Sequence, residues 1–509
     1  MRIENLESGR TYAVAGCFAF LFLFLFLFFT QIHPLVVFDS DDWMYISFAR
    51  KPVPSIHEWN PTRIFAECFQ PLTGYFAAYV VTPIVGDYLH ALTYTAGLFL
   101  SLMITGYIYL FYQLMRKGEE HGRFRAMGVT MVFFALHFYL LRSQTYDNAH
   151  LFSTYNFTCV FYYLMPMLLN ASLVLWIMRQ GRLSEIYAQS TPVRKGLLWL
   201  WLYLAIFSSI FHNIILIVYL GIYSCWDFLD GGKRDAIQWA KEHKMELVVL
   251  LAWLVCLFFE AHGGRARDIG KDTFHLPWME TAIAAAILWS TMKHAAVAIC
   301  MMVMLLAAGD LFYHRKNEEG EGLRFLATSL MSGILVWVYL FLICTKSASA
   351  YFARPDVAVS WCFYLLLLTG FALNHLARRH PVLIQFFPVA IFFAFVVAFN
   401  HPRESFRESN ADNLPAQTCY DMGHRFIQQM VAADQRGERK VDLHVVKADT
   451  TDNWPHATML QNVLPESLFE HGIIHHRIEV ERIPDPEVNR EYQLPSPVQP
   501  LSKDPGRKD

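Results

Sequence analysis

Residues 11–37 form an almost unbroken apolar run, and residues 20–29 within it read FLFLFLFLFF. A helix rises about 1.5 Å per residue, so about 20 such residues cross the about 30 Å hydrocarbon core of a bilayer. Similar runs recur as far as residue 399. Charged residues make up only 17% of the chain and hydrophobic ones 55%, against roughly 25% charged in a soluble domain. So much apolar surface cannot be hidden inside a water-soluble fold, so lipid is the solvent for most of the chain. In lipid every backbone polar group needs an internal partner, which a helix supplies from its own segment. The expected fold is an all-α polytopic membrane protein.

The first run reads as a retained helix rather than a cleaved leader. A signal peptide has an apolar stretch of about 7–15 residues followed by a small-residue cleavage site. Here the run is longer and ends in Gln31-Ile32-His33-Pro34. Val14-Ala15-Gly16-Cys17 looks like a lipoprotein cleavage box, but such a box closes the apolar run, and here most of the run follows it. The nine cysteines are scattered and form no CxxC pair, so neither a zinc site nor a disulfide framework is indicated. A net charge of −2 gives no electrostatic footprint for nucleic acid.

About eleven spanning helices are expected, at 11–37, 88–115, 126–142, 156–178, 196–210, 213–228, 245–261, 290–312, 325–344, 358–376 and 382–399. The stretch 196–228 reads either as one long helix or as a hairpin turning at His212-Asn213. The hairpin puts Arg194-Lys195 and Lys233-Arg234 on one side, together with Arg116-Lys117, Arg123, Arg125, Arg179, Arg182, Arg315-Lys316 and Arg378-Arg379. The positive-inside rule then places the N-terminus in the cytoplasm and the tail outside. Domain boundaries follow: a membrane body at 1–399, a small extracytoplasmic α/β subdomain at 400–483, and a Pro-rich segment at 484–509 whose composition reads as disordered. Within the tail, 420–433 is helix-like and 441–446 strand-like.

The first external loop, 38–87, opens with Phe38-Asp39-Ser40-Asp41-Asp42-Trp43-Met44-Tyr45. Three carboxylates this close repel one another, which raises the pKa of at least one or invites a shared cation. Asp and Ser also make good helix caps, so the group reads equally as the cap of a short amphipathic helix. Further on, Glu58-Trp59-Asn60-Pro61-Thr62-Arg63 begins a second amphipathic segment, with Pro61 suited to its first turn. Arg63 and Glu67 then share one helical face, either as a surface ion pair or as support for an acceptor.

This layout resembles the GT-C superfamily of integral membrane glycosyltransferases, which take sugars from polyprenyl-phosphate donors. Asp41-Asp42-Trp43-Met44-Tyr45 is similar to the Asp-Glu-x-x-Tyr motif of lipid A aminoarabinose transferases and to the Asp-Asp motifs of bacterial cell-wall and O-antigen transferases. The resemblance implies a first external loop with two helices lying on the membrane. It also implies transfer of a sugar to an external glycan, lipid or protein acceptor, in a cell-envelope membrane. Phosphate is a good leaving group, so the chemistry needs a carboxylate to take the acceptor proton and cations to hold the phosphate. By place in the motif Asp41 is the expected base, then Asp42; Asp39 is an acid that the family motif lacks. Asp41 and Asp42 holding a divalent cation such as Mg or Mn is an open alternative.

For the donor phosphate the expected residues are Arg354, then Lys346, both in an external loop, with His212 and Arg265 behind them. Arg suits bidentate phosphate binding, although an interfacial Arg also snorkels to headgroups. His212 reads equally as a packing histidine. Asp147, in the loop after the third helix, is a candidate for acceptor binding. Two rival functions are a flippase for a lipid-linked glycan and a non-catalytic envelope assembly subunit. A flippase should show broken helices, pseudo-symmetry and midplane charges, and these are not evident in the sequence.

Overall fold

The computed structural model describes residues 2–48, 61–117, 122–142, 149–230, 235–262, 277–314, 320–382, 410, 414–447 and 463–494. The chain is mostly helical. In order the helices are α1 (Arg2–Leu27), α2 (Ser40–Tyr45), α3 (Ile64–Phe76), α4 (Tyr88–Met115), α5 (Arg123–Tyr139) and α6 (Phe157–Gln180). Next come α7 (Leu183–Gln189), α8 (Pro192–Ile206), α9 (Ile214–Asp230), α10 (Ala236–Glu242), α11 (Lys244–His262), α12 (Trp278–Thr291) and α13 (His294–Tyr313). Then follow α14 (Gly320–Ser347), α15 (Pro355–Arg379), α16 (Ala416–Gln435), α17 (Val463–Glu470) and α18 (Pro486–Glu491). Two strands, β1 (Lys440–Val446) and β2 (Glu479–Asp485), pair in parallel.

Among the described residues, seven helices are long and apolar enough to cross a membrane: Tyr12–Ile32, α4, α6, α11, α13, Gly322–Ser347 and α15. The expected spans near 126–142, 196–210 and 213–228 are present as α5, α8 and α9, with 17, 15 and 17 residues. These are shorter than the about 20 residues of a straight crossing. The expected span 382–399 lies outside the described residues. The chain does break between α8 and α9, and both helices pack on α6 and α11.

The span expected at 290–312 is present as α13. It begins at His294, and a separate helix, α12, precedes it. The break has a backbone cause: Arg142 N donates to Thr291 O at 2.7 Å and Lys293 N to Leu140 O at 2.9 Å. These groups pair with the chain after α5 instead of continuing a helix.

Burial separates inner from outer spans. In α6 and α15, 83% and 78% of the apolar window is buried, against 22% in α11 and 17% in α13. The outer helices show Leu251, Leu254, Ile299, Leu305 and Leu306 outward, a surface suited to lipid. Inner helices are joined by hydrogen bonds that lipid cannot replace. Asn170 Nδ2 on α6 donates to Ala205 O on α8 at 2.9 Å, and Tyr364 Oη on α15 donates to Ile215 O on α9 at 2.7 Å.

The tail segment packs on this body. β1 and β2 are joined through α17, and the buried Met430 and Ala433 of α16 lie in the same core as Leu443 and Val445 of β1. Asp434 ends α16 by accepting from the backbone N–H of His475 at 2.9 Å and of His476 at 3.0 Å, and from both imidazoles. The His475 N–H leads the hydrogen bonds that hold this carboxyl at about 2. Order also runs past residue 484, where the composition suggested disorder. Pro484 and Asp485 belong to β2, and Pro486 opens α18 with the Asp485 side chain capping Glu487 N at 2.8 Å. Proline is tolerated on an edge strand and at a first helical position, so these prolines do not break structure. Residues 495–509 lie outside the described residues.

α2, α3 and the end of α17 meet at Gly74. A Cβ there would lie 2.2 Å from Ile46 O and 3.0 Å from the His471 ring. A backbone carbonyl cannot rotate aside as a side chain can. Gly74→Ala is therefore expected to cost about 1–3 kcal/mol or more, read as a lowered thermal unfolding midpoint in detergent.

Candidate active site

The first span ends in a wide π turn, Phe28–Ile32, and Pro34 offers no N–H to carry the helix on. The chain then runs without regular structure to Asp39, and the side-chain amide of Asn410 in the tail pairs with its backbone. Val36 N donates to Asn410 Oδ1 at 2.7 Å, and Asn410 Nδ2 to Val36 O at 3.0 Å. The acidic turn and α2 follow. Asp39 and Asp42 are buried, and Asp41 is half-buried.

Asp42 acts as a knot. Its Oδ2 accepts from Phe38 N at 3.1 Å and Asp39 N at 2.9 Å, and its Oδ1 from Thr158 N at 2.8 Å. It thus ties its own turn to the start of α6. Burial, then the neighbouring Asp39 carboxylate, push Asp42 up to about 7 despite these donors. Asn156 completes the junction: its Oδ1 accepts from Cys159 N at 2.8 Å, and its Nδ2 donates to Asp39 Oδ2 at 2.9 Å. An Asn before an apolar run is the signal for such a cap, and sequence reading passed over it.

The three backbone donors account for the burial of the Asp42 carboxylate. Three N–H dipoles point their positive ends at its oxygens and tie it to its own turn and to α6. Asp42 is suited to hold the fold, and among these three acids Asp41 is the one with both partial exposure and the expected place in the motif.

One residue beyond Thr158, Cys159 contacts Arg354: Nη2 donates to its Sγ at 3.3 Å. Arg354 donates from Nε and Nη2 to the two oxygens of Asp356 at 2.9 and 2.6 Å. Its guanidinium lies over the rings of Tyr155, Tyr163 and Tyr351, at 4.6, 4.7 and 4.8 Å from their centroids. Arg354 Nη1 makes no hydrogen bond among the described residues. His212 supports this group from behind. It is fully buried, with Nδ1 at 2.9 Å from Ser209 Oγ and Nε2 at 2.8 Å from Asp356 O. Both nitrogens are engaged, so His212 sits as a packing histidine.

The other expected residues fall elsewhere. Lys346 is exposed in the last turn of α14 and makes no hydrogen bond or ion pair with this cluster. Arg63 and Glu67 do not share a helical face, contrary to expectation. Arg63 has φ 59°, left-handed backbone outside the helix, and α3 begins only at Ile64, so Pro61 lies outside it too. Instead Arg63 forks onto Glu260 of α11, Nε to Oε1 at 3.1 Å and Nη2 to Oε2 at 2.6 Å. This partner lies 197 positions away in the chain. Glu67 is half-buried in the first turn of α3. Asp147 and Arg265 lie outside the described residues.

Sequence reading also missed what covers the acidic helix. Ser467 of α17 donates to Trp43 O at 2.7 Å and lies 2.7 Å from Ser47 Oγ, while Tyr88 Oη meets His471 Nδ1 at 2.6 Å. The tail is therefore part of the wall behind α2. Comparison with family models, curated proteins and solved structures finds no match for this chain.

Proposed function

We propose that the chain is a GT-C type glycosyltransferase that moves a sugar from a polyprenyl-phosphate donor to an extracytoplasmic glycan, lipid or protein acceptor. In this reading about eleven spans cross a cell-envelope membrane with the N-terminus inside. α2 and α3 lie at the outer interface, and the 416–494 segment sits outside against them. Asp41 takes the proton of the acceptor hydroxyl. Arg354 presents Nη1 to the donor phosphate while Asp356 and three tyrosines hold its orientation.

The observation that carries the reading is the convergence on residues 156–159. Asp39 and Asp42 are tied to Asn156 and Thr158, and Cys159 touches Arg354. The acidic turn and the phosphate-binding cation thus flank one helix start, next to the emergence of the first span. A second reading, a non-catalytic assembly subunit, draws support from the closed pairing of Arg354 with Asp356 and from the tail covering α2.

The test is to incubate the purified protein with polyprenyl-phosphate hexoses and pentoses and follow released lipid phosphate. Asp41→Asn is expected to lower turnover by about 10²–10⁴-fold, the usual worth of a positioned base. Undiminished turnover in that variant, or no release with any of these donors, removes the transferase reading.

A further inference from the structure

Helix α16 of the tail crosses the beginning of α4, and three side chains of metal-ligand type converge there. Asp87 caps α4, accepting from His90 N at 2.7 Å. Its Oδ1 also lies 2.7 Å from His90 Nδ1, and its Oδ2 lies 2.5 Å from His424 Nε2 on α16. One donor atom from each residue fits within a 4.8 Å cluster. The three side chains are 31%, 35% and 30% exposed, so an ion can reach them from water. Two of them, Asp87 and His424, line an open cavity of about 820 Å³ together with Asp421.

The surroundings fix the imidazoles in place. The His90 ring stacks on Tyr420 of α16 with centroids 4.2 Å apart, and Tyr420 Oη lies 2.8 Å from Thr93 Oγ1 on α4. Gly423, one residue before His424, lets α16 approach so closely that a Cβ there would sit 2.8 Å from Leu89.

We propose that Asp87, His90 and His424 form a binding site for a divalent transition metal of the zinc class, which clasps the tail helix onto the start of α4. Two imidazoles and one carboxylate suit zinc, cobalt or nickel, whereas magnesium and calcium prefer all-oxygen sets. Three protein ligands leave a fourth position open to water, and Asp87 and His424 border the cavity. Ligand atoms around tetrahedral zinc stand roughly 3.3 Å apart, so the short contact at whichever Asp87 oxygen ligates must open by roughly 0.6–0.8 Å and the rest of the cluster must draw in. Side chains a third exposed can do so by small torsional shifts. The site is independent of the transferase reading, because none of its residues belongs to the cluster at 156–159.

The test uses the full-length protein in detergent, stripped with a chelator and titrated with Co²⁺ alone. One equivalent should bring up the visible absorption bands of four- or five-coordinate cobalt, and Zn²⁺ should then erase them. His90→Ala and His424→Ala should each weaken binding by more than about 100-fold, beyond the about 10–100-fold cost of losing an outer-shell partner. The paired variant His475→Ala/His476→Ala, on exposed histidines elsewhere, should bind as wild type does. If His424→Ala fails to fold, His424→Gln, which keeps a hydrogen bond to Asp87, replaces it. Absence of a cobalt spectrum in the wild type, or equal affinity in the two ligand variants, overturns the site.

Discussion

Asp356→Ala is expected to lower stability by about 3–5 kcal/mol, the usual result of stripping a buried charge of its partner. The Asp356 side chain is fully buried and Arg354 is 13% exposed, so water replaces little of what is lost. Two charge-assisted hydrogen bonds disappear, leaving the guanidinium with the faces of three tyrosines and the Cys159 sulfur. Each cation–π contact contributes about 0.5–2 kcal/mol and is already made in the wild type, so none of them compensates. The His212 contact is to the Asp356 backbone and survives the substitution, which confines the loss to the ion pair. Removing both charges, as in Arg354→Met/Asp356→Leu, should recover most of the stability, because neither desolvated ion then remains. Thermal midpoints of the two singles and the double, in one detergent, decide it. A double variant no more stable than Asp356→Ala would show that packing rather than charge carries the effect.

Local patterns in the sequence were readable where one segment decides its own structure. The 88–115 helix has the expected ends because Asp87 caps it and an apolar run fills it. The acidic turn was visible for the same reason, as a run of like residues directly after a span. What was not readable is pairing across the chain. Nothing local to Arg63 names Glu260, and nothing near Asp87 or His90 names His424. Whether three aspartates cap, coordinate or catalyse also depends on distant N–H groups, such as that of Thr158 facing Asp42. The separate helix α12 was missed because an apolar run does not announce that Leu140 and Arg142 will take its backbone groups. The order around Pro484 and Pro486 was missed because composition counts prolines without regard to their position in a strand or helix.

Asp42→Asn is expected to loosen the acidic turn, with a pH dependence that identifies the cause. The carboxylate serves three N–H donors with two oxygens. An amide has only one oxygen, so either the Phe38 and Asp39 donors or the Thr158 donor must face an NH₂. Each orphaned buried donor costs about 1–3 kcal/mol. In the wild type the folded-state pKa is about 7, raised from 3.8, so the folded chain holds the proton more tightly than the unfolded chain does. The stabilisation linked to this proton is therefore fully present below 3.8 and is lost as pH rises through about 7. The amide does not titrate in this range. The gap in unfolding midpoint between wild type and Asp42→Asn should thus be widest near the acid end of this window and narrow toward pH 8. A gap that widens with rising pH would mean that Asp42 is held as a carboxylate, and that its three N–H donors outweigh burial and Asp39. On the proposed transferase reading, turnover should fall with stability in the same variant, because Asp42 ties the turn that carries Asp41 to α6.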